Sequence, residues 1–239
     1  MKKILISTII LLSILFIYLK NIDKKIYYLS LGDSVSLGIT PYNTKDYSYQ
    51  DYVKDYLYKE NLLEFYVNNY NERDLRITDL INKIEDNIKL KIGGKNKSIK
   101  NSLIKADLIT LSIGNDELIS KINLVPNLDN NEIYKYIDEL VDDMGKLISL
   151  IREYCKEDII LIGPYKPRLT LKENVDNIYK YLNKKYQEIA EKFDAYYINS
   201  FEILNDKDMF NNDSIYPNKL GYIKIGEEII KIVKNEILD

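Results

Sequence analysis

The sequence predicts an α/β domain, a parallel sheet covered by helices on both faces. Three observations predict it. Short runs rich in β-formers recur along the chain, and helical patterns alternate with them. The runs are apolar almost throughout, as strands buried on both faces are. No internal repeat and no second domain divides the 239 residues.

Ile26–Leu31 ends at Gly32 and reads as the first strand. Tyr49–Lys59 reads as a helix, and Phe65–Tyr70 as the second strand. Thr78 and Asp79 open a helix carrying Leu80, Ile81 and Ile84. Asp107–Ile113 is the third strand, stopped by Gly114. Asn131–Tyr154 is the longest helix, with Ile133, Ile137, Leu140, Met144, Leu147 and Ile151 at i, i+3, i+4 spacing. Asp158–Ile162 is the fourth strand, Asn174–Phe193 a helix and Ala195–Ile198 a short fifth strand. Lys219–Ile237 closes the chain as an amphipathic helix. Gly93-Gly94-Lys95 lacks the spacing of a phosphate-binding loop and reads as a turn.

Composition narrows the function. Apolar residues make up 46% and charged residues 30%, ordinary for a domain with a core. The net charge is −3, with both signs interspersed and no basic stripe, so nucleic acid is not an expected partner. The 22 tyrosines accompany an excess of Lys, Ile and Asn and reflect an AT-rich coding bias. The single cysteine, Cys155, excludes an intrachain disulfide and a cysteine zinc site. There is no histidine, which removes every imidazole base and every histidine-built metal site. No cofactor or metal is expected.

Met1, Lys2 and Lys3 precede an apolar run from Ile4 to Leu19, followed by Lys20, Lys24 and Lys25. A basic start before an apolar stretch is the form of a bacterial export signal. No small-residue cleavage site follows, so residues 1–25 read as an uncleaved signal anchor, with cleaved secretion as the alternative. The domain then spans 26–239 and faces outside the cytoplasm.

In sheets of this kind the functional site lies at the carboxyl ends of the strands. Three segments fall there. Gly32-Asp33-Ser34 follows the first strand, where a tight strand-to-helix turn would expose a serine hydroxyl beside its own backbone N–H. Gly114-Asn115-Asp116 follows the third strand, and Asn115 could offer a side-chain N–H to an oxyanion. Asp213 through Tyr222 precedes the last helix. Each segment alone also reads as a turn or a helix cap.

Together, and in this order, they resemble the SGNH/GDSL hydrolase superfamily, in particular its bacterial lipase/acylhydrolase-like exported members. Thr40-Pro41-Tyr42, the Tyr49 and Tyr52 pair and Arg76-x-Thr78-Asp79-Leu80 are similar to the same group. The resemblance runs from Ile26 to the C-terminus. It implies a three-layer α/β/α sandwich of flavodoxin-like type and an esterase or lipase activity. It also implies Ser34 as nucleophile, Asn115 as an oxyanion donor with the Ser34 N–H, and Asp213 as the acid.

Two positions depart from the pattern. The resemblance places Tyr216 where the family has its histidine base. Alignment on Thr78-Asp79-Leu80 places Asp74 at the glycine whose N–H completes the oxyanion site, bringing a carboxylate near developing negative charge. A tyrosine with a pKa near 10 accepts a proton poorly at pH 7. In a serine protease, loss of the triad serine or histidine removes on the order of 10⁶ in kcat. Two functions follow as expectations. One is a weak hydrolase of acyl or acetyl esters at the cell envelope, in which Asp213 or its water would have to act as base. The other is a non-catalytic binder of an acylated lipid or glycan, with Tyr42, Tyr47, Tyr49 and Tyr52 lining a pocket. Acyl transfer to a sugar hydroxyl needs the same base and shares its difficulty.

Overall fold

The computed structural model describes residues 25–124, 130–168, 175–211 and 213–238. The segment read as a signal anchor lies outside the described residues, apart from Lys25. Among the described residues no helix is long and apolar enough to cross a membrane.

Five strands form one parallel sheet: β1 (Ile26–Gly32), β2 (Leu63–Val67), β5 (Leu108–Ser112), β6 (Asp158–Ile162) and β7 (Tyr196–Ile198), in the order β2-β1-β5-β6-β7. Two further strands, β3 (Lys89–Ile92) and β4 (Lys95–Ser98), make a separate antiparallel hairpin. Helices α1 (Ser34–Leu37), α2 (Tyr49–Lys59), α3 (Ile77–Glu85), α4 (Ile99–Lys105), α5 (Asn115–Leu124), α6 (Asn130–Tyr154), α7 (Val175–Lys192), α8 (Ser200–Ile203) and α9 (Lys219–Ile232) connect them.

The layering follows from the two-residue period of a strand. Leu29, Leu31, Ile109, Leu111, Ile159 and Leu161 pack on one face against α3, α4, α6 and α7. Their neighbours Ile26, Tyr28, Leu108, Ile160 and Ile162 pack on the other face against α2 and α9. Both faces are covered, so the continuous apolar runs are explained and the α/β/α sandwich is observed.

The differences from the sequence reading are local. The second strand is Leu63–Val67 rather than 65–70, because Asn68 and Asn69 begin the turn that follows. The last helix is α-helical to Ile232 and ends in a π-turn at Val233–Ile237. Gly93-Gly94 is a turn, joining two strands that the reading lacked.

The strand order reverses at β1, which pairs with β2 on one side and β5 on the other. That switch point opens a crevice at the carboxyl ends of β1 and β5. Gly32 lies opposite Ser112 in register, and the Asp33 N–H donates to the Ser112 carbonyl at 3.0 Å. The segments after these two strands are therefore neighbours, although 82 residues separate Ser34 from Asp116.

Candidate active site

Asp33 caps α1, its carboxylate accepting the Val35 N–H at 3.2 Å. The backbone N–H groups of Gly114 and Asp116 lie near the same buried carboxyl, so the nucleophile turn and the turn after β5 meet around it. Gly114 has φ +97, and a Cβ there would stand 2.6 Å from the Tyr186 hydroxyl. That packing sets where Asn115 and Asp116 begin α5.

Ser34 sits at the start of α1, fully buried at 0% exposure. Its N–H donates to Asp116 Oδ2 at 3.4 Å. Its Oγ accepts the Asp74 N–H at 3.1 Å. The Tyr216 hydroxyl and the Asp116 carboxylate both face the Ser34 side chain. Asn115 is buried on the same turn, and among the described residues neither atom of its side-chain amide has a hydrogen-bond partner.

Asp74, Asp116 and Tyr216 therefore surround Ser34, with Asn115 beside them. Asp74 has φ +55, a left-handed conformation of the kind a glycine adopts freely. Its side chain is 71% exposed, with Arg73 Nε at 3.7 Å. Asp213 stands apart. It is exposed, with φ +54, and among the described residues its carboxylate makes no hydrogen bond to Tyr216. Ser214 instead shapes this loop, its hydroxyl donating to the Tyr216 carbonyl at 2.6 Å. Of the four tyrosines proposed for a pocket, Tyr47 and Tyr52 line one of about 360 Å³ with Tyr222. Tyr49 is core, its hydroxyl 2.8 Å from Ser36 Oγ, and Tyr42 is exposed.

A cavity of about 390 Å³ opens beside Asp74 and Asp116. Arg76, Glu117, Ser120, Lys121 and the ring of Tyr136 complete its wall. Glu117 accepts the Ile77 N–H at 2.9 Å, fixing α3 against α5 on that side.

The family model for GDSL-like lipase/acylhydrolase proteins matches residues 28–229. The chain belongs to the GDSL-like lipase/acylhydrolase family. Solved structures show the same fold at low identity. A lipase from a goat rumen metagenome superposes with a TM-score of 0.73 at 14% identity, over 89% of this chain and 99% of that one. An acetylxylan esterase from Geobacillus stearothermophilus gives 0.66 at 18%, over 90% and 97%. A lipase/acylhydrolase from Enterococcus faecalis gives 0.60 at 17%, over 87% and 95%. No curated protein matches the chain by sequence.

Within this GDSL-like fold the electrostatics are unusual. Burial, and then the charge of nearby Asp116, push the Asp33 carboxyl well above the ordinary carboxylate range. Burial also raises Asp116, against the opposing pull of the Ser34 hydroxyl. Burial and the negative field of Asp116 push the Tyr216 hydroxyl up to about 12. Tyr165 and Tyr222 line the same region, and both hydroxyls are pushed well up, chiefly by burial. The site is thus a pair of buried acids within a shell of neutral phenols.

A stability prediction arises here. A group whose pKa is raised by folding favours the folded state below its ordinary pKa, and that favour is lost as pH rises through the folded value. Asp33→Asn keeps a competent helix cap and removes the buried titratable group. Its melting temperature should exceed that of the wild type by a few degrees at neutral pH. The gap should widen as pH is raised from about 4 toward 9. A gap independent of pH, measured by thermal denaturation monitored by circular dichroism, would contradict this account of Asp33.

Asp116 is the residue that the sequence reading passed over. It closes the second segment, where the sequence assigns it no role. The available signal was an acid directly after Asn115 at the end of a buried strand.

Proposed function

We propose that this protein is a serine ester hydrolase with Ser34 as the nucleophile and Asn115 as an oxyanion donor. One observation carries the reading. Asn115 holds a buried amide, unpartnered among the described residues, on the turn that abuts Ser34. Buried donors are nearly always paired, and leaving one unmet is costly. An unmet donor beside a buried hydroxyl is what an acyl-transfer site keeps for the negative oxygen of its tetrahedral intermediate.

The Ser34 and Asp74 N–H groups complete the donor set once their present acceptors move away. Pushed up to about 12, the Tyr216 hydroxyl stays protonated, so toward Ser34 it can act as a donor and not as a base. Asp213 keeps the acid's place in the last segment, without reaching Tyr216. Substrates are acyl or acetyl esters, and the apolar run Ile4–Leu19 would hold the enzyme to the envelope membrane, facing outward. The acetylxylan esterase likeness supports the acetyl end of that range.

A second reading is a binding protein that turns nothing over. The complete burial of Ser34 under Tyr216 favours it. Hydrolysis of p-nitrophenyl acetate by the full-length chain and by Ser34→Ala decides between them. The hydrolase reading expects the wild-type rate to exceed that of Ser34→Ala by at least about tenfold. Equal rates would leave the binding protein.

A further inference from the structure

We propose that Asp116 is the proton acceptor for Ser34, taking the part for which the chain has no histidine. This rests on the serine-hydrolase reading above. Asp116 is the carboxylate that touches the nucleophile: Oδ2 accepts the Ser34 N–H at 3.4 Å, and the Ser34 hydroxyl faces the same group. It reaches the cavity on its other side, so it meets both the nucleophile and the space where an ester would lie. Asp213, the other carboxylate considered, is exposed and touches neither.

The step balances without any further reactant. Ser34 Oγ bonds to the ester carbonyl carbon as its proton passes to Asp116, and the carbonyl π pair becomes the oxyanion. The oxyanion collapses, the bond to the leaving alkoxy oxygen breaks, and that oxygen takes the proton from Asp116. Water then adds to the acyl-Ser34, its proton again passing to Asp116. Collapse frees the carboxylic acid and returns the proton to Ser34 Oγ. As the oxyanion grows, Asp116 loses its own charge, so negative charge moves across the site instead of accumulating. The neutral acid also holds the Ser34 N–H less strongly, releasing that donor to the oxyanion.

Several groups set when Asp116 is ionised. Asp33, from the turn after β1, shares the region; burial raises both acids, and the charge of Asp116 raises Asp33 further, so the two do not ionise independently. Arg73 and Asp74, from the loop after β2, act with opposite signs. Tyr165, Tyr179, Tyr216 and Tyr222 face it from the remaining sides and stay neutral because burial raises them all. Glu117, Arg76 and Lys121 share its cavity.

The test is kcat/KM for p-nitrophenyl acetate against pH, using the full-length wild type, Ser34→Ala, Asp116→Asn and Asp116→Glu. The wild type should show an acid limb, its rate rising with pH through a midpoint above the ordinary carboxylate range. Asp116→Asn should lose about tenfold or more at neutral pH, and the limb with it. Asp116→Glu keeps a carboxylate but moves it by one methylene, so it should keep a limb at a shifted midpoint. An Asp116→Asn enzyme with the wild-type rate and limb overturns the proposal. So does an unshifted limb in Asp116→Glu, which stands as a measurement even if the asparagine variant does not fold. Ser34→Ala separates the two readings. If it matches the wild type, the hydrolase reading falls first; if it is inactive while Asp116→Asn is unaffected, only the role of Asp116 falls.

Discussion

Tyr216→His should raise p-nitrophenyl acetate hydrolysis by about 10²-fold, near the low end of what general acid–base catalysis supplies. The gain comes from replacing a hydroxyl of pKa about 12 with an imidazole that accepts protons near neutrality. The position is right, since the Tyr216 side chain already faces Ser34. The low end is expected because Asp213 is exposed and makes no bond to residue 216, so no acid from that loop orients the new ring. In serine proteases an unoriented histidine loses most of its effect, about 10⁴ in kcat. Asp116 can pair with the imidazolium, but the Ser34 N–H and hydroxyl already engage it. The pH profile identifies the cause. A gain through imidazole has a midpoint near 6.5. Tyr216→Phe is the control for access, because it removes the hydroxyl without adding a base. If Phe raises the rate as much as His, the tyrosine merely shielded Ser34, and its place as a failed base is refuted. If neither variant raises the rate, the oxyanion donors are not recruited, and the Asp74 and Ser34 N–H groups remain with their present acceptors.

Much of the architecture was legible because buried strands are written in apolar runs. Asp158–Ile162 and Tyr49–Lys59 have the same bounds in sequence and structure. The elements that were missed carry weak signals for physical reasons. The β3–β4 hairpin has four residues in each strand, mostly lysine and polar, and only Leu90 and Ile92 turn inward to the core, too few to show a two-residue period. Helix α4 is seven residues long, too short to show a period. Helix α5 begins at the Asn115 motif itself, which reads equally well as a turn. At the site, sequence order gave the three segments but not the facing of their side chains. Asp213 and Tyr216 are three residues apart in one loop, yet one is exposed and the other buried against Ser34. Asp33 reads as a cap and is one, but its closeness to the turn after β5 depends on β1 and β5 being neighbours. Asp116 gains its importance from the same adjacency, which no local pattern around residue 116 encodes.

Gly32→Ala is expected to destabilise the protein by about 3 kcal/mol or more, through overpacking added to backbone strain. Gly32 is the last residue of β1 and has φ +153, a conformation that side chains rarely tolerate. A Cβ there would stand 2.0 Å from the Ser112 carbonyl oxygen and 2.3 Å from Ser36 Oγ. Ser36 could rotate, but the carbonyl cannot, since the Asp33 N–H donates to it at the point where β1 meets β5. Relief therefore requires the two strand ends to separate. That same approach sets the distance between Ser34 and Asp116, so stability and activity should fail together. Surface substitutions elsewhere shift stability without touching the chemistry, and the coupling is the feature to measure. Thermal melts should show the loss in Gly32→Ala, while Lys91→Ala on the exposed hairpin shows little change in either property. If Gly32→Ala melts with the wild type, the β1 and β5 ends have room to part. The close approach that presses Ser34 toward Asp116 would then not be a constraint imposed by the sheet.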